Sequence, residues 1–146
     1  MGTCRISCVY RFVAIPKTRG VFMKELLWVF IGGGLGSICR YAITILLKET
    51  NSLYPWPTLL ANALGSLLIG ILADQLLRNT SVHSANTLFW IIGFCGGLTT
   101  FSTFALENIT LFRLTGAASL LIYASLTYFI CLGMVVLGTS LSKLIF

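Results

Sequence analysis

Four apolar stretches, each long enough to cross a lipid bilayer, occupy most of this 146-residue chain. They cover residues 26–47, 53–77, 88–112 and 114–141. A transmembrane helix needs about 20 mostly apolar residues, and backbone groups in lipid must bond to one another, which favours helices. Hydrophobic residues make up 57% of the chain and charged residues only 10%, too few to cover a soluble surface. The sequence therefore predicts an all-α integral membrane protein with four transmembrane helices per subunit and no soluble domain.

Positive charge is concentrated at the N-terminus. The formal net charge is +6, and four of the ten basic residues lie in the first twenty positions. They are Arg5, Arg11, Lys17 and Arg19. Basic residues beside a span usually set its orientation, so this charge does not indicate binding to nucleic acid. Without them, six basic residues remain against four acidic ones.

Residues 1–22 differ in character from the rest of the chain. Their apolar part is short and interrupted by Arg11, which is not typical of a signal peptide. From Met23 the sequence passes through Lys24 directly into the first span. We therefore expect Met23 to be the natural start and residues 23–146 to form the membrane domain. That shorter chain has almost no charge bias and can insert in both orientations, whereas the four extra charges would hold the N-terminus inside.

The polar residues within the spans recur at helical spacing. In the first span Gly32, Gly36 and Arg40 share one face. The glycines favour close helix packing. Arg40 either faces water or an anion inside the membrane, or extends to the nearby interface.

The second and fourth spans carry similar polar faces. Asn62 is followed at steps of four by Ser66 and Gly70, and its amide either joins helices or presents its NH₂ group to an anion. The fourth-span residues that advance by four are Ser119, Tyr123, Thr127 and Cys131. Because hydroxyls in spans often bond only to their own backbone, this polar track alone is a weak signal.

Residues 93–104, GFCGGLTTFSTF, place glycines and hydroxyls in the middle of the third span. Gly93, Gly96 and Gly97, followed by Thr99 and Thr100, would weaken a helix, so we expect a break here. Irregular backbone at membrane depth must be surrounded by protein or line an aqueous cavity, and its freed carbonyls can bind a cation. Phe101 and Phe104 follow on one face. Their electropositive ring edges can line an anion path, although ordinary core packing is the usual role of such a pair.

Three motifs resemble those of the Fluc, or CrcB, family of fluoride channels: GGGLGSICRY, PTLLANALGSLLIG and GFCGGLTTFSTFALE. The resemblance covers residues 23–146 and implies an antiparallel, dual-topology homodimer with two fluoride pores. It also implies a structural sodium ion, held by the backbone carbonyls of Gly96 and Thr99 and their copies in the partner. The implied function is passive export of cytoplasmic fluoride through the bacterial inner membrane.

The resemblance also implies roles for individual side chains. Its fluoride pore would be lined by Asn62, Phe101, Ser102, Thr103, Phe104, Tyr123 and Thr127, with Arg40 near the vestibule. Glu107 is the acid that follows the F-S-T-F motif and closes the third span. Cys131 stands where a hydroxyl or small residue is expected.

Two other function classes remain to be weighed. A small dual-topology exporter of organic cations or drugs needs a carboxylate deep in its binding site, and the first span has none after Glu25. An intramembrane enzyme is disfavoured because the single histidine, His83, lies in a connection and the sequence has no paired carboxylates or metal-ligand cluster. The sequence therefore favours a channel over an enzyme.

Overall fold

The computed structural model describes residues 19–47, 52–79 and 84–145, and the regular structure within these ranges is helical throughout. The helices are α1 (Arg19–Leu46), α2 (Trp56–Asn79), a rod that we label α3, α4 (Phe101–Thr115) and α5 (Ala117–Ile145). The α3 rod consists of an α-helical turn at Ala85–Thr87, a π-helical segment at Leu88–Cys95 and another α-helical turn at Gly96–Leu98.

Three described segments are long and apolar enough to cross a membrane: Phe22–Leu46, Ala85–Thr115 and Ala117–Leu144. The remaining helix, α2, contains a shorter apolar stretch at Trp56–Leu72. The predicted all-α, multi-pass membrane architecture is therefore confirmed. The proposed N-terminal extension, residues 1–22, lies largely outside the described residues, and α1 begins at Arg19.

Helices α1 and α3 pack backbone to backbone. Gly32 and Gly36 are buried, and a Cβ atom at either position would lie less than 3.0 Å from a carbonyl oxygen of α3. The oxygens belong to Phe89 and Phe94, respectively. The two glycines predicted to mediate packing are thus the points where the helices touch, since any side chain there would separate them.

Helices α2 and α5 form the second closely packed pair. They meet at Gly70 and Gly138, where a Cβ atom on Gly138 would lie 3.0 Å from the Gly70 Cα. A sharp turn at Gly116 (φ 90°) separates α4 from α5, and its N–H donates to the Phe112 carbonyl at 2.9 Å. Glycine suits this turn because a positive φ is strained for other residues.

The third span is interrupted within the predicted stretch, at the two threonines, while the glycines before them remain helical. Gly96 and Gly97 are still α-helical, whereas Thr99 (φ −80°, ψ 153°) and Thr100 (φ −149°, ψ 124°) are extended. Thr100 then caps α4, because its Oγ1 accepts from the Thr103 N–H at 3.3 Å. Threonine is β-branched and accepts extended backbone readily, which explains why the break falls there.

The prediction that Glu107 closes the third span is wrong. Helix α4 continues to Thr115, about two turns further along the chain. The Glu107 carboxylate therefore lies within the packed helices.

Candidate functional site

Asn62, on α2, binds the backbone of Thr100 at the break in the third span. Its Nδ2 donates to the Thr100 carbonyl at 3.2 Å, and its Oδ1 accepts from the Thr100 N–H at 2.8 Å. The side chain thus satisfies both backbone groups of an extended residue at membrane depth, where an unsatisfied group costs several kcal/mol. Of the two roles left open by the sequence, joining helices is the one the geometry shows. One amide hydrogen remains beyond the bond to Thr100, because an NH₂ group has two.

The break releases two carbonyls from helical hydrogen bonding. In a continuous helix Gly96 O would accept from the Thr100 N–H, which instead donates to Asn62. Thr99 O would accept from the Thr103 N–H, which instead donates to Thr100 Oγ1. These are the two oxygens that the resemblance assigns to sodium. Neutral carbonyl oxygens suit a hard cation, so the donor set fits the implied ion.

Arg40 points to the break rather than to the membrane surface. Its Nη1 lies 3.4 Å from the Thr99 carbonyl oxygen, a long hydrogen bond. The side chain is half-buried and on the same face of α1 as Gly32 and Gly36. The guanidinium therefore contacts the break within the subunit, while the role of Arg40 towards an anion stays a prediction.

Gly65 allows α2 to approach the break closely. A Cβ atom at this buried position would lie less than 3.0 Å from the Thr99 Cγ2. The Thr99 hydroxyl in turn donates to the Cys95 carbonyl at 2.9 Å. The extended segment is consequently held by α2 as well as by its own chain.

An open groove of about 560 Å³ runs along the break between α2, α3, α4 and α5. Six predicted site residues line it: Asn62, Gly96, Thr99, Phe101, Phe104 and Thr127. Ser66 and Cys131 also contribute to its wall. Residues from three separate spans, singled out in the sequence for different reasons, are thus brought to one site.

The two phenylalanines of this groove differ in their surroundings. Phe101 is 80% exposed, whereas Phe104 is half-buried and packs against the core formed by Leu59, Leu111 and Tyr123. Their ring centroids are 5.8 Å apart with an interplanar angle of 45°. The pair therefore extends from the packed interior to the outer surface of the subunit.

Glu107 is the centre of a buried hydrogen-bonded cluster. Its Oε1 accepts from the Thr58 hydroxyl at 2.6 Å, and its Oε2 accepts from the Tyr123 hydroxyl at 3.3 Å. The Tyr123 hydroxyl also lies 3.1 Å from the Pro55 carbonyl oxygen. The cluster joins α2, α4 and α5 behind Phe104, whose ring centroid is 5.7 Å from that of Tyr123.

The α5 polar track divides into two environments. Tyr123 is fully buried and belongs to the carboxylate cluster, whereas Thr127 and Cys131 line the groove. Thr127 is 5% exposed, and its hydroxyl has no hydrogen-bond partner among the described residues. A buried hydroxyl without a partner calls for an explanation, and an ion bound nearby would supply one. Ser119 is half-buried and does not line the groove.

Ser102 and Thr103 do not reach the groove lining. Both are exposed in the first turn of α4. The Ser102 hydroxyl lies 3.3 Å and the Thr103 hydroxyl 3.2 Å from Thr100 Oγ1. In this subunit the two hydroxyls support the cap of α4.

The family of the chain follows from comparison with known proteins. Residues 27–139, which include the break, the groove and the carboxylate cluster, match the family model described as CrcB-like protein, Camphor Resistance (CrcB). The chain belongs to the CrcB family. This confirms the resemblance seen in its motifs, and the match covers the whole site.

Three relatives of the chain share one name. A protein named fluoride-specific ion channel FluC from Azobacteroides pseudotrichonymphae genomovar. CFP2 is 35% identical over 122 residues, which cover 83% of this chain and 98% of that protein. A protein of the same name from Nitrobacter winogradskyi is 37% identical over 124 residues, which cover 81% of this chain and 98% of that protein. A third protein of that name, from Serratia proteamaculans, is 44% identical over 91 residues, which cover 62% of this chain and 72% of that protein. The relatives are named as channels, not as enzymes.

Sequence reasoning missed one residue of the site, Thr58, and one role, the capping of α4 by Thr100. Thr58 binds the Glu107 carboxylate, and the Thr100 hydroxyl oxygen accepts from the Thr103 N–H. A signal for Thr58 was present, because it lies four residues before Asn62 and extends the same face of α2. Thr100 was expected to weaken the helix together with Thr99, but nothing in the pattern singled it out as the cap.

Proposed function

We propose that this CrcB-family chain is a subunit of a fluoride-selective channel that lets fluoride leave the cytoplasm passively. The observation that carries the proposal is the groove at the helix break, where Asn62, Thr127 and the ring edges of Phe101 and Phe104 meet. The names of its relatives point to the same ion. Direction would be set by the membrane potential and the fluoride gradient.

The chemistry of the groove suits a small, strongly hydrated anion. Selective conduction requires groups that replace the hydration shell yet bind weakly enough to release the ion. Asn62 retains one amide hydrogen beyond its bond to Thr100, and Thr127 has an unpartnered hydroxyl. The phenylalanine edges add weak positive potential without a full charge. Larger halides would fit such closely spaced donors poorly.

A second, antiparallel copy of the chain would complete the pore in a bacterial inner membrane. The open side of the groove, the 80% exposed ring of Phe101 and the uncrowded surface at Gly96 support this arrangement. Ser102 and Thr103, which are exposed in the first turn of α4, would then face the groove of the partner copy and line its pore. In lipid such an association would be driven by close packing and by polar groups, because lipid tails are as apolar as the side chains that they contact.

A structural sodium ion at the centre of the dimer is part of the proposal. The Gly96 and Thr99 carbonyls would hold it, because the break has withdrawn their helical donors. The ion would supply fixed positive charge near the anion path without obstructing it.

The alternative, an exporter of organic cations, gains one observation from the structure. Glu107 lies inside α4, so a carboxylate does exist within the spans. Both of its oxygens, however, accept hydrogen bonds from the hydroxyls of Thr58 and Tyr123. The carboxylate is therefore already bonded within the subunit. Family membership also favours the channel.

Flux from liposomes tests the proposed function. Purified protein, verified as folded, would be reconstituted in liposomes loaded with potassium fluoride and potassium chloride. After valinomycin collapses the potential, ion-selective electrodes follow each anion. We expect rapid release of fluoride with chloride retained. Retention of both anions by a folded protein would contradict the proposal, and uptake of an organic cation would be measured next.

A further inference from the structure

The guanidinium of Arg40 and the proposed sodium ion would share one ligand atom. Arg40 Nη1 donates to the Thr99 carbonyl at 3.4 Å. The same oxygen is one of the two that the break frees for a cation. A carbonyl has two lone pairs, so one oxygen can accept from Arg40 and bind a cation at the same time.

The break does not depend on Arg40 for its shape. Asn62 fixes both backbone groups of Thr100, one of them at 2.8 Å. Thr100 Oγ1 fixes the first turn of α4, and Gly65 packs against the Thr99 methyl group. The Arg40 bond, at 3.4 Å, is the longest of these hydrogen bonds and adds little direction.

The charge of Arg40, in contrast, acts over distance. Coulomb energy falls only with the inverse of separation and is weakly screened away from water. The one carboxylate among the site residues named above, Glu107, accepts from the hydroxyls of Thr58 and Tyr123 rather than from Arg40. The positive charge of Arg40 is therefore felt at the Thr99 oxygen.

We propose that Arg40 is a tuning residue whose charge lowers the affinity of the helix break for its cation. The inference rests on the proposed function, since it presumes that the Gly96 and Thr99 carbonyls bind sodium. Removal of a polar side chain from a binding site usually lowers the affinity for the ligand. Removal of the Arg40 charge should instead raise the affinity of the break for sodium.

Equilibrium binding of ²²Na⁺ to the purified protein tests this, measured on the full chain and on the chain from Met23, which is the form expected to supply antiparallel pairs. Sodium is varied at constant ionic strength with N-methylglucamine, and the sodium concentration at half-saturation is recorded. Arg40→Gln should lower that concentration about tenfold. Arg40→Lys, which keeps the charge, should stay within about threefold of the wild type. Arg113→Gln is the matched control, because Arg113 is exposed in the last turn of α4 and loses the same charge away from the break.

The possible outcomes separate this inference from the proposed function. Half-saturation of Arg40→Gln at an unchanged or higher sodium concentration overturns the inference. So does failure of Arg40→Gln to fold when Arg40→Lys folds, since the charge would then act on folding. Absence of saturable sodium binding in the wild type would remove the sodium ion from the proposed function, and the inference with it. Fluoride flux from the same preparation tests the channel independently of either.

Discussion

At the scale of single residues, Asn62 shows how one amide can serve structure and permeation together. Its oxygen and one of its hydrogens are bonded to the backbone of Thr100. Only the second hydrogen is left for an ion in the groove. Substitutions at this position therefore change the break as well as the proposed anion path.

Asn62→Asp should impair stability and flux together. The carboxylate cannot donate to the Thr100 carbonyl and would place an oxygen against it, which we expect to cost about 1–3 kcal/mol of unfolding free energy. Fluoride flux should fall at least about tenfold, because the charge also repels the anion. Thermal unfolding and liposome flux measure the two effects. Ser66→Ala, one turn along the same groove wall, is the control and should leave the break intact; wild-type flux in Asn62→Asp would place the residue off the anion path.

Substitution of Phe101 and Phe104 should affect fluoride flux and subunit stability to different degrees. Phe101→Ile alters an 80% exposed ring and should leave subunit stability unchanged, whereas Phe104→Ile loses ring contacts with Tyr123 at a cost of about 1 kcal/mol. The double variant should lose fluoride flux while remaining folded. Unfolding curves and liposome flux of the three variants test this. Wild-type flux in the double variant would exclude an aromatic lining of the pore.

At the scale of elements, glycine spacing decides which helices pair. Gly32 and Gly36 bring α1 onto α3, and Gly70 and Gly138 bring α2 onto α5. The first contact presents Arg40 to the break, and Gly65, which packs against Thr99, lets α2 present Asn62 to it. Packing of the helices and assembly of the site are therefore consequences of the same small residues.

Gly36→Ala and Gly34→Ala provide a matched test of that packing. A Cβ atom at Gly36 would lie less than 3.0 Å from the Phe94 carbonyl oxygen and the Leu98 nitrogen, whereas nothing lies within 4 Å of one at Gly34. Gly36→Ala should therefore destabilise the subunit by about 1–3 kcal/mol. Gly34→Ala should be neutral or slightly stabilising, because alanine favours a helix. Thermal unfolding in detergent measures both; equal effects of the two changes would show that α1 does not pack on α3 through this face.

At the scale of the whole molecule, orientation in the membrane depends on few charges. Beyond residues 1–22, the basic residues near the ends of the spans are Lys24, Lys48, Arg78, Arg113 and Lys143. In a four-span chain these residues alternate between the two sides of the membrane, so the difference in positive charge between the sides is small. We expect the four further basic residues in the first twenty positions to favour an orientation with the N-terminus inside.

We expect the chain from Met23 to insert in both orientations and the full chain to insert in one. C-terminal reporter fusions that are active only in the cytoplasm or only in the periplasm measure the two populations. Replacing Arg5, Arg11, Lys17 and Arg19 with glutamine in the full chain is the control and should restore both orientations. Equal populations for the unmodified full chain would show that these charges do not set topology.

The sequence by itself determined the membrane class, the helical architecture, the interruption of the third span and the shared face of Gly32, Gly36 and Arg40. These features depend on composition and on contacts between near neighbours in the chain, which a single sequence displays. The resemblance in its motifs further identified the family, and comparison confirmed it.

Only the tertiary structure decided the position of the break at Thr99 and Thr100, its brace by Asn62 and the placement of Glu107 against Thr58. The Asn62 and Arg40 contacts to the break join residues 38 and 59 positions apart, and Thr58 lies 49 positions from Glu107. Helical periodicity assigns a residue to a face but not to the helix opposite. Which partner each polar group meets follows from how the glycine faces bring the helices together, and that is a property of the folded subunit.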